Sequence, residues 1–325
     1  MIPRRRSLLC ALAALAAPRL RAAGRGFSFA VLGDTPYGLA EEHALAALID
    51  VVNADAELRF AVHVGDLKAS DERCSDRLLE RRFALLDRLA LPWLFTPGDN
   101  DWTDCHAGGA GRFHPLERLS FLRRLAYPRP DRSRGPRPLA LEHQAPPFVE
   151  NARFELDGIV FATVHVIGSD NGWLPWRSID INDRAAAPRA DRVAEIQARE
   201  AATLAWIDAA FDHAHAIDAR GAALFFHANP RLERSPEHPR RRRFNAFIDR
   251  LRARVRAFAR PVLLAHGDLH WYFVDRPWRD LPLVTRVQVP GSPFVGWVKV
   301  EVDAADARLF RVARGALPQP AREPS

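Results

Sequence analysis

The sequence is poor in lysine and cysteine, and it has only one long apolar run. Just two of its 47 basic residues are lysines, Lys68 and Lys299, a bias that we attribute to genome composition. Three cysteines leave at most one pair, Cys74 and Cys105, beyond residue 23. No repeat of solenoid period is present, which excludes a repeat architecture. No low-complexity linker divides the chain, so we predict a single domain over 27–315 and a disordered tail at 316–325.

The apolar run lies near the start of the chain. Three arginines at positions 4–6 precede an apolar stretch at 8–17, and small residues follow at 22 and 23. This layout predicts an export signal over residues 1–23, since the stretch is too short to span a bilayer. Arg5 and Arg6 also resemble a twin-arginine signal. An ordinary secretory signal and a retained anchor remain alternatives.

Removal of this signal would change the charge balance. The formal net charge is +7, and residues 1–23 carry five arginines and no acid, which leaves +2 for the mature chain. A nearly balanced charge argues against nucleic acid as a partner. No further membrane span is predicted. We therefore expect a periplasmic or extracellular protein, in a compartment where the remaining cysteines can form a disulfide.

The middle of the chain alternates between strand and helix patterns. Apolar runs predict strands at 27–32, 60–64, 93–95, 159–166, 222–226 and 262–265. Helical periodicity appears at 41–52, 78–89, 115–125, 192–211 and 243–258. After His270 only strands follow, at 272–274, 285–289, 297–302 and 309–312. This order predicts an α/β protein with two packed sheets and helices outside them.

One dipeptide recurs where predicted strands end. With 18 glycines and 25 aspartates in 325 residues, chance predicts between one and two Gly-Asp pairs. Four occur, each at or near a strand end: Gly33-Asp34, Gly65-Asp66, Gly98-Asp99 and Gly267-Asp268. Ligands of open α/β sheets bind in the crevice at the carboxyl ends of the strands. Glycine permits the sharp turn that aims the next side chain into this crevice.

Four carboxylates in one crevice repel one another unless cations neutralise them, so the set predicts a metal site. Any single Gly-Asp is explained equally well by a turn or a helix cap. His227 follows the strand at 222–226, and His270 lies two residues beyond Asp268. A mixture of aspartate and histidine favours Mn, Fe or Zn, and it also admits Mg or Ca.

The order of these motifs resembles the calcineurin-like metallophosphoesterases over most of the chain. The stretches that carry the resemblance are Asp34-Thr35-Pro36, Gly65-Asp66, Gly98-Asp99-Asn100-Asp101, His227 and Gly267-Asp268-Leu269-His270. The letters GDTPY, GDNDW and HGDLH resemble a divergent bacterial branch. The resemblance implies a four-layer α-β-β-α sandwich of two mixed sheets flanked by helices.

The resemblance also implies two divalent or trivalent metal ions. The first would be held by Asp34, a bridging Asp66 and His270, with Pro36 in place of a histidine ligand. The second would be held by Asp66 together with Asp99, His227 and Asp268. Two of these ligands, Asp99 and Asp268, are acidic where the family has Asn and His.

The activity implied is hydrolysis of a phosphate monoester or diester by attack of a metal-bound hydroxide. Asn100 stands where the family has the histidine that protonates the leaving group or holds the phosphate. We expect Asn100 to donate a hydrogen bond to a phosphate oxygen and Asp101 to orient it, which makes them the predicted catalytic residues. Hydrolysis of esters with good leaving groups would be slowed least by having Asn100 in place of the histidine. His106 is a further candidate proton source.

Three other residues are candidates for the rim of the site. Lys68 is predicted to meet the phosphate, or else to be a solvated charge. Trp102 is predicted to contact the substrate, and Trp271 to wall the pocket, although packing beneath the loops explains both equally well.

Two cysteines follow the second and third motifs. Cys74 comes eight residues after Asp66, and Cys105 comes six after Asp99. Both thus belong to loops that leave neighbouring strand ends, where a disulfide is sterically accessible.

The predicted partner is a small phosphate ester, and the oligomeric state stays open. The main alternative is a catalytically impaired or inactive scaffold that acts as a metal-containing binding protein. The substitutions at Pro36 and Asn100 favour it, whereas the new carboxylates at Asp99 and Asp268 oppose it. A nuclease would need a basic groove that the mature charge does not indicate.

Overall fold

A computed structural model describes residues 26–318. The predicted signal at 1–23 and residues 319–325 of the predicted tail lie outside the described residues. The strands are β1 Phe27–Leu32, β2 Leu58–His63, β3 Trp93–Phe95, β4 Glu142–His143, β5 Ala152–Leu156, β6 Ile159–Thr163, β7 Gly221–Phe225, β8 Val262–His266, β9 Phe273–Asp275, β10 Val284–Gln288, β11 Val298–Val302 and β12 Phe310–Arg314. The helices are α1 Gly38–Ala54, α2 Asp76–Leu86, α3 Pro115–Ala126, the short α4 Gly168–Asn171, α5 Ala190–Ala216 and α6 Asn245–Phe258, with 3₁₀ turns at Thr103–His106 and Arg242–Phe244.

The strands form two mixed sheets. The first has five strands in the order β12-β11-β1-β2-β3, and β1, β2 and β3 run parallel. The second has seven strands in the order β4-β5-β6-β7-β8-β10-β9, with β6, β7, β8 and β10 parallel. The parallel strands of each sheet end at one edge, and that edge carries the predicted metal ligands.

The two sheets pack face to face. Side chains from both fill the space between them; Phe29 of β1 stacks on Phe60 at 4.8 Å between ring centroids and meets Phe161 of β6 edge-on at 5.5 Å. Helices α1 to α3 cover the outer face of the first sheet, and α5 and α6 cover that of the second. The layers therefore follow the order α-β-β-α, which confirms the predicted fold.

Local sequence explains these elements. All six residues of β1 are buried and five of them are apolar, as is typical of a strand covered on both faces. Helix α2 begins after Ser75, whose side chain accepts a hydrogen bond from Leu78 N at 3.3 Å and so caps the helix. Helix α3 begins at Pro115, whose missing N–H costs nothing in the first turn.

The sequence interpretation missed strands β4 and β5. Strand β5 pairs with β6 as a hairpin through the turn at Asp157-Gly158, where both residues have positive φ, 50° and 71°. Alternating apolar residues at Ala152, Phe154 and Leu156 before an Asp-Gly turn were the available signal. Within the described residues, no helix combines the length and apolar character that a membrane span needs.

Candidate metal centre

The predicted ligands come from the carboxyl ends of five strands. Asp34, Asp66 and Asp99 follow β1, β2 and β3 of the first sheet. His227 follows β7 of the second sheet, and Asp268 follows β8. Because the sheets are stacked, these ends meet in one crevice, and each sheet supplies ligands that the other lacks.

Two groups in this crevice have the geometry of metal ligands. One contains Asp34, Asp66 and His227, and the other contains Asp99, His227 and Asp268; within each group the candidate ligand atoms lie within 4.8 Å of one another. His227 belongs to both. The sequence interpretation gave the shared position to Asp66, whose Oδ1 lies 3.5 Å from His227 Nε2.

His270 lies at the edge of the first group. Its Nε2 is 3.8 Å from Asp34 Oδ1 and 3.3 Å from the hydroxyl of Tyr37. The Tyr37 hydroxyl also donates to Asp66 Oδ2 at 3.0 Å. Tyr37 follows Pro36, the position where the resemblance would place a histidine ligand, and its hydroxyl lies beside the first ligand group.

Backbone geometry aims the ligands inward. Asp34, Asp66, Asp268 and His270 all have left-handed φ, between 53° and 84°. Such conformations are costly for residues other than glycine and cluster at functional sites. Of the four preceding glycines only Gly65 has a positive φ, so the sharp-turn explanation holds for that one alone.

Two of the other glycines are required for space. A Cβ on Gly98 would lie 2.1 Å from Asp66 Oδ1, and one on Gly267 would lie 2.3 Å from Asp34 Oδ2. These distances are far below van der Waals contact. The recurring Gly-Asp pairs are therefore explained largely by close approach of the backbone to a neighbouring carboxylate.

Hydrogen bonds set the orientation of both histidines. Nδ1 of His227 lies 2.9 Å from the carbonyl oxygen of Val64, and Nδ1 of His270 lies 2.9 Å from that of Ser292. A carbonyl accepts only, so in each ring Nδ1 carries the proton and donates. This leaves Nε2 as the ligand atom, as is usual for metal-binding histidines.

Asp101 holds two of the loops together. Its carboxylate accepts backbone N–H bonds from Asp66 at 2.9 Å, Leu67 at 2.8 Å and Gly98 at 2.7 Å. Asp101 is fully buried. This carboxylate fixes the loop of Asp66 against that of Asp99.

Asn100 is also hydrogen-bonded within the site. Its Nδ2 donates to Asp66 Oδ2 at 2.7 Å, and its backbone N–H donates to Asp66 Oδ1 at 3.0 Å. Both oxygens of Asp66 therefore accept a hydrogen bond from this one residue, which is only 8% exposed.

The crevice is electrostatically suited to a cation. Burial raises the pKa of Asp34 to about 7, that of Asp268 to about 6, and that of Asp66 well above its usual range. Burial alone would lower the pKa of His227, but Asp66, Asp99 and Asp34 together outweigh burial and hold that pKa well above normal. Without a cation, bound protons therefore neutralise the same carboxylates that a cation would neutralise.

Unpaired atoms indicate the same fit. Asp99 Oδ1 and His227 Nε2 are buried and lack a hydrogen-bond partner among the described residues, although they lie only 2.9 Å apart. Buried polar atoms are normally satisfied, and exceptions require an explanation. Carboxylate and imidazole donors suit Mn, Fe or Zn, so this donor set fits a metal.

Two of the predicted rim residues do not reach the crevice surface. Lys68 is fully buried, and its Nζ donates to the carbonyl of Ala69 at 2.7 Å. Trp102 is also fully buried and belongs to the core under helices α1 to α3. Neither side chain is exposed, and their assignment as substrate-binding residues stays a prediction. Trp271, by contrast, is 67% exposed. His106 is partly buried, and burial lowers its pKa.

The sequence interpretation missed residues that follow β6. Ser169 Oγ lies 2.8 Å from Asp99 Oδ2 and 2.8 Å from Asp104 Oδ2, so one hydroxyl joins both carboxylates. Burial raises the pKa of Asp104 to about 7, which suits a carboxyl that shares a proton with its neighbours. The signal was available, because β6 is parallel to β7 and ends at the same edge.

A side pocket lined by two arginines and two aspartates adjoins the second group. Its lining includes Ser169, Asn229, Arg231, Arg240 and Asp268. Asn229 N–H donates to Asp268 Oδ2 at 2.8 Å, and the charge of Arg231 opposes the rise in the pKa of Asp268. An arginine thus lies beside the candidate ligands.

The predicted disulfide is confirmed. Cys74 and Cys105 are bonded, with their Cα atoms 5.6 Å apart. The backbone N–H of Cys74 donates to Ala110 O, and that of Phe113 to Cys105 O, both at 2.9 Å. The bond ties the loop after Asp66 to the loop after Asp99.

Comparisons with known proteins found distant similarities to solved structures. No protein-family model matches the chain, and no curated protein matches it. Among solved structures, the phosphopantetheinyl hydrolase of Mycobacterium tuberculosis matches with a TM-score of 0.47 and 15% identity, over 92% of this chain and 99% of that one.

Two further matching structures are a phosphatase and an anchor protein. Purple acid phosphatase PPD1 from yellow lupin (Lupinus luteus) seeds matches with a TM-score of 0.48 and 11% identity, over 90% of this chain and 52% of that one. GAP50, the anchor in the inner membrane complex of Plasmodium, matches with a TM-score of 0.46 and 11% identity, over 91% of this chain and 90% of that one. Likenesses at this level describe the fold alone.

Proposed function

We propose that the protein is an exported, metal-dependent phosphoesterase that hydrolyses a small phosphate monoester or diester. The observation that carries the proposal is the pair of ligand groups that share His227, within each of which the candidate ligand atoms lie within 4.8 Å of one another. Buried carboxylates this close repel one another unless cations or protons neutralise them.

Six residues would hold the metal, in two sets that lie close together: Asp34, Asp66, His270, Asp99, His227 and Asp268. When bound, cations at these positions supply positive charge to phosphoryl oxygens and lower the pKa of water. Asp101 keeps the first two loops in register through its three backbone bonds. Arg231 is the candidate contact for a phosphate oxygen, since it lies beside Asp268.

Asn100 sets the leaving-group requirement. Its side chain is a hydrogen-bond donor, and it cannot transfer a proton as an imidazolium does. A good leaving group departs without protonation, so we expect turnover to depend strongly on the pKa of the alcohol released. Export is supported by the arginine-led apolar start of the chain and by the disulfide.

Metal analysis and a phosphate-ester screen test the proposal. Purified protein is expected to hold Mn, Fe or Zn, and reconstitution with Mn²⁺ or Fe to give hydrolysis of nitrophenyl phosphate or of its diester. Asp268→Asn should lower both metal content and rate. The matched control is Asp157→Asn, which changes an exposed aspartate that also has a left-handed backbone. Retention of metal and rate in Asp268→Asn would contradict the proposal.

A second candidate function is a metal-containing binding protein. The observation that favours it is that Asn100 Nδ2 is already bonded to Asp66 at 2.7 Å, rather than free to meet a substrate. If the protein binds metal stoichiometrically but hydrolyses no ester faster than the free metal ion does, this alternative replaces the proposal of an enzyme.

A further inference from the structure

Exposed apolar side chains are concentrated beside the first ligand group. Three of the large apolar residues most exposed in the described part of the chain are Leu39 at 63%, Trp271 at 67% and Phe294 at 75%. Each lies within five residues of a residue that the crevice uses: Leu39 of Asp34, Trp271 of His270, and Phe294 of Ser292. Exposed aromatic residues at the mouth of a polar site are typical of ligand contacts.

The two loops that carry Trp271 and Phe294 are bonded to each other around His270. Ser292 accepts the bond from His270 Nδ1 at 2.9 Å, and the backbone N–H of Gly291 donates to the carbonyl of His270 at 2.8 Å. The backbone N–H of Ser292 donates to Asp34 O at 2.9 Å. Strand ends from both sheets thus hold the β10–β11 loop at the crevice, together with Phe294.

Helix α1 is tied to the same loop. Ser292 Oγ donates to Glu41 Oε1 at 2.5 Å, and Tyr37 N–H donates to the other oxygen of Glu41 at 2.7 Å. Leu39 lies between Tyr37 and Glu41 in the chain. Leu39, Trp271 and Phe294, which we call the apolar rim, are therefore mounted on one hydrogen-bonded frame.

The chemistry of the crevice gives an independent indication of what the rim contacts. Asn100 offers no acid, so the P–O bond breaks most readily when the departing oxygen is stable as an anion. Aryl oxides are far better leaving groups than alkoxides. An aromatic ring attached to that oxygen is also the group that stacks on Trp and Phe side chains.

We infer that this site, if it hydrolyses esters as proposed above, acts on phosphate esters of aromatic alcohols and binds the ring at the apolar rim. In the reaction, the bond from phosphorus to the aryl oxygen breaks, and the oxygen leaves with the electron pair as aryl oxide. A water oxygen forms the new bond to phosphorus. Its proton passes to solvent, and solvent reprotonates the aryl oxide.

Kinetics of metal-reconstituted protein test the inference. Trp271→Ala and Phe294→Ala should each raise KM for naphthyl phosphate about 3- to 10-fold, on the order of one aromatic contact, with kcat nearly unchanged. KM for ethyl phosphate should not change. Leu283→Ala is the control, because this exposed leucine precedes β10 and so lies at the opposite end of the sheet from the crevice.

A binding measurement separates this inference from the proposed function. Phenylphosphonate, which cannot be hydrolysed, should bind the Mn²⁺-loaded protein more tightly than methylphosphonate by calorimetry, and Trp271→Ala/Phe294→Ala should remove the difference. Equal binding of the two phosphonates overturns the inference even if esters are hydrolysed. Preferential binding of phenylphosphonate without hydrolysis supports the ring site and contradicts the enzyme. If the double variant loses binding to phospholipid vesicles while both phosphonates bind it as they bind the wild type, the rim is a membrane contact and the inference fails.

Discussion

His227 Nε2 lies 2.9 Å from Asp99 Oδ1, and neither atom has a hydrogen-bond partner among the described residues. The same nitrogen lies 3.5 Å from Asp66 Oδ1. An imidazole that lies between two buried carboxylates offers the mixed nitrogen and oxygen donors that a transition metal prefers. This geometry makes His227 the centre of the candidate site.

The first prediction concerns metal content. Because His227 belongs to both ligand groups, His227→Asn should lose more metal than Asp34→Asn or Asp268→Asn, which each affect one group. Asp66→Asn should match His227→Asn if Asp66 bridges, and should match the single-group variants if it does not. Elemental analysis after identical reconstitution checks both. Undiminished metal in His227→Asn would remove it as a shared ligand.

The second prediction concerns Asp101. Asp101→Asn replaces a buried carboxylate that accepts three backbone N–H bonds with an amide that has one acceptor oxygen. Hydrogen bonds to charged groups contribute about 1.5–3 kcal/mol each, so the free energy of unfolding should fall by about 3 kcal/mol. Urea unfolding of metal-free protein measures this. A positioning role also predicts lower metal affinity in the folded variant, whereas unchanged affinity would restrict Asp101 to stability.

The third prediction concerns Asn100. Asn100→His places a titratable donor beside the candidate ligands, and it should raise turnover of alkyl phosphates more than that of nitrophenyl phosphate, since only the poor leaving group needs the proton. Adding Pro36→His should tighten the first ligand group and increase the effect. Asn100→Ala is the control for loss of the 2.7 Å bond to Asp66. An equal gain on both kinds of ester would indicate better metal occupancy rather than acid catalysis.

The fourth prediction is a pH dependence of stability in metal-free protein. The pKa of Asp34 is about 7 in the fold against 3.8 normally, so the folded state binds this proton more tightly. The resulting stability is complete below pH 3.8 and is lost as pH rises through 7. His63 and His266 act in the opposite sense, since burial lowers their pKa values to about 4 and about 3, but their contribution is nearly complete above their normal pKa of 6.5.

Thermal unfolding with a chelator should therefore show Tm falling between pH 6.5 and 8. Added Mn²⁺ should abolish the fall, because the cation replaces the protons at the crevice. Asp34→Asn should show a shallower slope than the wild type. Identical slopes in the two proteins would mean that other groups control the titration.

Much of the fold and part of the site follow from local sequence. Apolar runs such as 27–32 and 93–95 coincide with β1 and β3, because strands covered on both faces need continuous apolar residues. The Gly-Asp pairs predicted which strand ends carry ligands, since parallel strands end at one edge. The positions of Cys74 and Cys105 after two such ends predicted their bond.

Tertiary structure decided the rest. Whether Lys68 and Trp102 reach a ligand depends on the chain folded over them, and both are buried. The second sheet, packed across the first, places His227 in both ligand groups and brings Ser169 to Asp99. Contacts of this kind join residues about 70 to 160 positions apart, and no local pattern encodes them. Side-chain periodicity determines which residues face inward, whereas the stacking of the two sheets determines which of those residues meet.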